Sequence, residues 1–231
     1  MTKKVIKLNT IWMMVSVVTF MSCELDNYDM PNAVLFGSIV DAESGELLEQ
    51  DIINGTQIEY IELGFDDPAT QYLVVKNDGT FRNNLVFAGT YTVRPVRGNF
   101  FPIDKKEIQV KGDTQIDFQV QPYIRVKNVS IAKAGDKVIA TFNLEQTGPN
   151  NVRKIGLYAH PEAAVGEPLR KVAVEKVLNE PTDPDATFSL EIDLPSHPTL
   201  APGHPYFFRV GALYDAPEAK LNYAKAVRLA L

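Results

Sequence analysis

One cysteine, one tryptophan and three histidines are all that this 231-residue sequence holds of the side chains that most often carry redox, metal or stacking chemistry. A lone Cys23 excludes an intramolecular disulfide framework and any cysteine-based metal cluster. Long apolar runs are also missing: the uncharged stretch 8–22 is 15 residues, short of the ~20 that a membrane-crossing helix needs. Basic residues are in deficit, 23 against 29 acidic, for a formal charge of -6. That balance disfavours the large basic surface a nucleic-acid partner requires. Neither a Gly-x-Ser-x-Gly elbow nor a phosphate-cradling glycine loop occurs. What remains is an ordinary folded composition, 45% hydrophobic and 23% charged, with 14 Gly and 15 Pro spread along the chain. Punctuation of that kind predicts many turns between short segments and argues against a long helical bundle.

The first thirty residues place the cysteine. Lys3, Lys4 and Lys7 precede the apolar stretch 11–21, and Ser22 stands before Cys23; the order is a basic n-region, a short h-region and a small residue before a cut. Residues 1–22 therefore read as an export signal. Removing them leaves 209 residues with 20 basic against 29 acidic, a charge of -9, and takes away Trp12. Glu24, Asp26 and Asp29 follow directly, so residues 23–32 read as an acidic tether.

From residue 33 onward, runs rich in Val, Ile, Tyr, Phe and Thr alternate with Gly, Asn, Asp and Pro. The spacing predicts strands over 34–40, 57–63, 71–76, 90–97, 106–110 and 115–120, then over 123–131, 137–144, 153–159, 170–177, 187–194, 206–214 and 223–231. Within 115–120, Ile116, Phe118 and Val120 fall on one face and Gln115, Asp117 and Gln119 on the other. We therefore expect an all-β fold of two consecutive β-sandwiches, 33–121 and 122–231, with the boundary at 121–123.

Several motifs carry resemblances. Phe20-Met21-Ser22-Cys23 resembles a bacterial lipobox, which implies lipid attachment to Cys23, and the acids behind it resemble the surface-export signal of Bacteroidetes-type lipoproteins. Leu35 to Asp41, Asp78-Gly79-Thr80-Phe81 and Ala88-Gly89-Thr90-Tyr91-Thr92-Val93 resemble a carboxypeptidase-regulatory-like (transthyretin-like) sandwich, in which Tyr91 would form a structural corner. Leu200 to Ala212 resembles the loop and penultimate strand of a fibronectin type III (immunoglobulin-like) domain, although the core Trp of that family is missing. The whole layout resembles a family of Bacteroidetes outer-membrane lipoproteins of unknown function. That likeness implies a place beside starch-utilisation-type uptake systems and, as partners, a polysaccharide or a transporter complex.

Residues patterned for chemistry are few. His160, His197 and His204 are each followed by Pro and match no metal-ligand spacing; Asp183-Pro184-Asp185 lacks the distal Glu of a calcium loop. Carboxylates at Glu62, Asp66, Asp67, Asp183, Asp185, Glu191 and Asp193 carry no sign that any two oppose each other across a sugar. No metal, cofactor or catalytic residue is expected. Among the aromatics, Tyr60, Phe65 and Tyr72 flank Asp66-Asp67. Phe100-Phe101 is the candidate for an exposed, ligand-binding apolar feature, because consecutive strand residues cannot both face one core; the other reading of the pair is a bulge packed onto the second domain. The expectation is a non-enzymatic, lipid-anchored module on the outer membrane, facing the cell surface or the periplasm, that binds glycans or, alternatively, serves as a scaffold on a transporter without binding sugar.

Overall fold

The computed structural model describes residues 29–231; the export signal, Cys23 and the tether up to residue 28 lie outside the described residues. Among the described residues there is no helix. The first sandwich is made of β1 (Ala33–Asp41), β2 (Gln57–Glu62), β3 (Thr70–Val74), β4 (Thr80–Val86), β5 (Gly89–Val96), β6 (Lys106–Val110) and β7 (Asp113–Val120). Three of these form a sheet in the order β4-β1-β7 and four form a facing sheet, β3-β2-β5-β6. β1 and β7 run parallel, in register from Val34 opposite Asp113 to Asp41 opposite Val120. Alternation places Leu35, Ile39, Ile58, Phe81, Tyr91, Val93 and Phe118 between the sheets, as a two-layer fold requires. The Tyr91 hydroxyl donates to the Phe87 carbonyl at 3.0 Å, so this tyrosine packs in the core and ties a loop to its strand.

The second sandwich comprises β8 (Ile124–Ala134), β9 (Lys137–Gln146), β10 (Val152–His160), β11 (Val172–Glu180), β12 (Thr187–Asp193), β13 (Pro205–Tyr214), β14 (Asn222–Tyr223) and β15 (Val227–Ala230). Its sheets run β12-β9-β8 and β11-β10-β13-β14, with β15 also on β13. Phe142, Leu144, Ile155, Leu157, Phe208 and Val210 fill the space between.

Two elements depart from expectation. β4 is not visible as an apolar run because Arg82, Asn83 and Asn84 interrupt it, and its pairing with β1 shifts register between Ala33 and Leu35. The run expected over 223–231 is broken: Ala224 donates its N–H to the Val210 carbonyl at 3.0 Å, and β15 resumes three residues later.

Candidate functional site

The boundary between the sandwiches is a polar core rather than a linker. Asn99, fully buried, donates through Nδ2 to the carbonyls of Glu49 (2.9 Å) and Leu221 (3.1 Å) and accepts at Oδ1 from Gln50 Nε2 at 3.0 Å. Gln50 accepts in turn from Thr56 at 2.7 Å. Arg209, with no exposed surface, reaches out of β13 into the first domain. It donates to the carbonyls of Ala224 (2.8 Å), Gln50 (3.0 Å), Val165 (3.2 Å) and Asn77 (3.4 Å) and to the Glu49 carboxylate at 2.5 Å. Its guanidinium lies 4.3 Å from the centre of the Tyr223 ring, whose hydroxyl donates to Asp51 at 3.2 Å. Burial pushes the Arg209 guanidinium down and the Glu49 carboxyl up, each against the pull of the other.

Beside this core opens a cleft of about 390 Å³. One wall is the tight turn after β1, where Gly45, at φ 71°, donates its N–H to the Asp41 carbonyl at 2.8 Å and Leu47 bridges to Val40. The other wall is the start of β8 and the β14–β15 connection. Leu47, Val126, Val129 and Val227 supply apolar surface; Asn222, Lys225 and Glu46 supply polar groups. β8 bulges between Lys127 and Ser130, with Asn128 at φ 52° on the lip.

Three features make the cleft a built site. First, it is preformed: Glu49 and Ala224 of its lining are held by Arg209. Second, Arg125 closes one end, donating to both oxygens of Asp41 (2.5 and 3.0 Å) and bridging to Glu43 (2.8 Å) and Glu145 (2.6 Å). Burial alone would raise the Asp41 carboxyl, but the Arg125 guanidinium and the backbone N–H groups of Glu43 and Ser44 together outweigh that and hold it below the ordinary carboxylate value. Third, Asn222 is 1% exposed and donates to the Asn99 carbonyl at 2.8 Å, and its buried Oδ1 has no hydrogen-bond partner among the described residues. An unpaired buried acceptor costs about 1–3 kcal/mol. Lys225, exposed, makes no ion pair among the described residues.

The residues singled out from sequence lie elsewhere. Phe100 is 2% exposed in the first core, and Phe101 packs edge-on against Tyr123 at 4.7 Å and Tyr214 at 6.1 Å in the second. The expected exposed pair is thereby corrected: consecutive rings point into two different cores because residues 99–101 sit between the two domains. His204 is exposed in a loop, and the N–H of His197 closes a turn to the Leu194 carbonyl at 2.9 Å. Among the described residues no group of three or more His, Cys, Asp or Glu is placed to hold a metal. Glu191 pairs with Lys137 at 2.7 Å, and Asp193 accepts from Ser196. Arg209, Asn99 and Asn222 escape a reading of the sequence; the one signal there is a cation inside the apolar run Tyr206 to Ala212.

Architecture and junction together define an all-β protein of two consecutive sandwiches locked by buried polar side chains. The chain belongs to the DUF3823 family: residues 33–121 match the model described as "Protein of unknown function (DUF3823) N-terminal domain" and residues 124–228 match "Domain of unknown function (DUF3823_C)". Among solved structures it is similar to a "putative carbohydrate binding protein" from Bacteroides uniformis, at 36% identity and TM-score 0.82 over 87% of this chain and 100% of the other. It shares its fold with DUF3823 family proteins from Bacteroides ovatus (23% identity, TM-score 0.74, 86% of this chain and 99% of the other) and Parabacteroides merdae (21%, 0.75, 87% and 100%). No curated protein matches it.

Proposed function

We propose that this protein is a lipid-anchored module of the bacterial outer membrane that binds glycan in the cleft between its sandwiches, as part of a polysaccharide uptake system. The observation that carries the reading is the preformed cleft itself, in which Leu47, Val126 and Val227 stand beside the polar groups of Lys225 and Glu46. Sugar hydroxyls can pair with those polar groups, and a pyranose ring has apolar faces that suit Leu47, Val126 and Val227. The carbohydrate-binding description of the 36% identical relative supports a glycan over other hydroxyl-bearing ligands. Cys23, ahead of the described residues, is the proposed lipid attachment point.

Titration calorimetry on the chain from Glu24 onward, against a panel of neutral and acidic oligosaccharides, tests the reading. Saturable binding is expected. Leu47→Trp, which fills the cleft, should abolish it, and Lys225→Ala, which removes one charge-assisted contact, should weaken it about tenfold. Absence of binding across the panel, together with co-purification of an outer-membrane transporter, would leave the scaffold alternative standing; release of sugar products would show an enzyme.

A further inference from the structure

We infer that the pole of the first sandwich opposite the cleft is a membrane-contact surface, with Phe65, Phe87, Leu63 and Leu85 seated in the interface of a zwitterionic phospholipid bilayer. The inference rests on the proposed anchoring at Cys23.

Strand directions define the pole. β1 starts there at Ala33, paired with Val86 at the end of β4, and Val34 pairs with Asp113 at the start of β7. β2 ends there at Glu62 opposite Tyr91, and β5 begins there at Gly89 opposite Val110. Hydrogen bonds gather the connecting segments: Leu63 N–H to Thr90 O at 2.8 Å, Ala88 N–H to Asn32 Oδ1 at 2.9 Å, and the Tyr91 hydroxyl to Phe87 O at 3.0 Å. On these segments and at the end of β4 four large apolar side chains stand in the open, Leu85 at 71%, Phe65 at 63%, Phe87 at 44% and Leu63 at 36% exposure. Neither core claims them. Large apolar side chains gathered in the open at one end of a domain point to an interaction surface.

The chain itself selects the occupant. Cys23 and Ala33 are ten residues apart, a span of at most about 36 Å. A lipid on Cys23 therefore holds this pole, where β1 begins, within reach of the bilayer at high effective concentration, so even a weak affinity keeps it seated. The cleft, by contrast, is built on the other end of β1, about 27 Å away along the strand. Glu62, Asp66 and Asp67 on the same segments argue for a zwitterionic rather than an anionic surface, which would repel them.

The chain from Cys23 holds one thiol and no tryptophan, which permits a clean experiment. The thiol is coupled to a maleimide-headgroup lipid in phosphatidylcholine vesicles, with single reporters Phe65→Trp, Phe87→Trp and, as control, Val177→Trp, at a position 66% exposed on β11 of the second sandwich. Seating ~5–10 Å into the interface should blue-shift the emission of the reporters at positions 65 and 87 and allow brominated acyl chains to quench them about twofold, leaving the control unchanged. Adding Leu85→Asp to the Phe65→Trp chain should relieve the quenching. Unquenched reporters at 65 and 87, or quenching equal to that of the control, overturn the inference and would point to a protein partner or to water at this pole. Because the coupling is chemical, this result is independent of lipidation in the cell, which incorporation of labelled fatty acid into the full chain and its Cys23→Ser variant reads separately.

Discussion

Arg209 is the residue on which the junction depends. A guanidinium offers five N–H donors in a fixed plane, and this one finds five acceptors, four of them carbonyls drawn from both sandwiches. Lysine would bring a point charge with three donors on a flexible stem, leaving carbonyls at Gln50, Val165 or Asn77 buried and unpaired. Arg209→Lys is therefore expected to lower unfolding free energy by about 3 kcal/mol, measured by urea denaturation with the slope unchanged. The same residue shows why the site is hard to find from sequence. There, Arg209 is one cation between Phe208 and Val210, a pattern equally suited to a solvent-facing strand position. Only when the first domain packs across it does it gain the acceptors at Glu49, Gln50 and Asn77. Asn222 is more obscure still, because an orphaned oxygen has no sequence signature at all.

At the level of elements, β1 is the strand that organises the first sandwich, and it contains a glycine for a steric reason. A Cβ on Gly37 would lie 1.7 Å from the Ile116 carbonyl and 2.9 Å from the Phe81 ring, so backbone and core would both have to move. Gly37→Ala should cost about 3 kcal/mol, seen as a fall of roughly 6–12 °C in thermal midpoint for a domain pair of this size. Most strands are legible from period-two alternation: β7 places Ile116, Phe118 and Val120 inward and Gln115, Asp117 and Gln119 outward. β4 is not, because its polar middle faces solvent at a sheet edge and only Phe81 and Val86 enter the core. Phe100 and Phe101, in the connection between β5 and β6, do not share one core. That a second core begins at the next residue is a fact of domain packing, which a local pattern does not encode.

For the whole molecule, the cross-domain bonds of Arg209, Asn99, Asn222 and Arg125 tie the two sandwiches to each other. The Asp41–Arg125 fork adds a pH signature. The folded-state pKa of Asp41 lies below the ordinary value, so the stability it contributes is present above the unfolded carboxylate value of ~3.9 and is lost as pH falls through the folded one. Asp41→Asn should be about 2 kcal/mol less stable than the parent at pH 7, with the gap closing below about pH 4; a gap constant with pH would show that the pair contributes no titrating stability. One more property follows from the parallel pairing of β1 with β7. If the protein is anchored ahead of β1 and holds a polymer beyond β7, tension enters at Ala33 and leaves at Val120. The eight residue pairs between these strands then lie along the line of pull and share it in shear, instead of opening one after another as a hairpin pulled from its end would. The topology that packs the first core thus also suits this domain to carry load between a bilayer and a chain under drag.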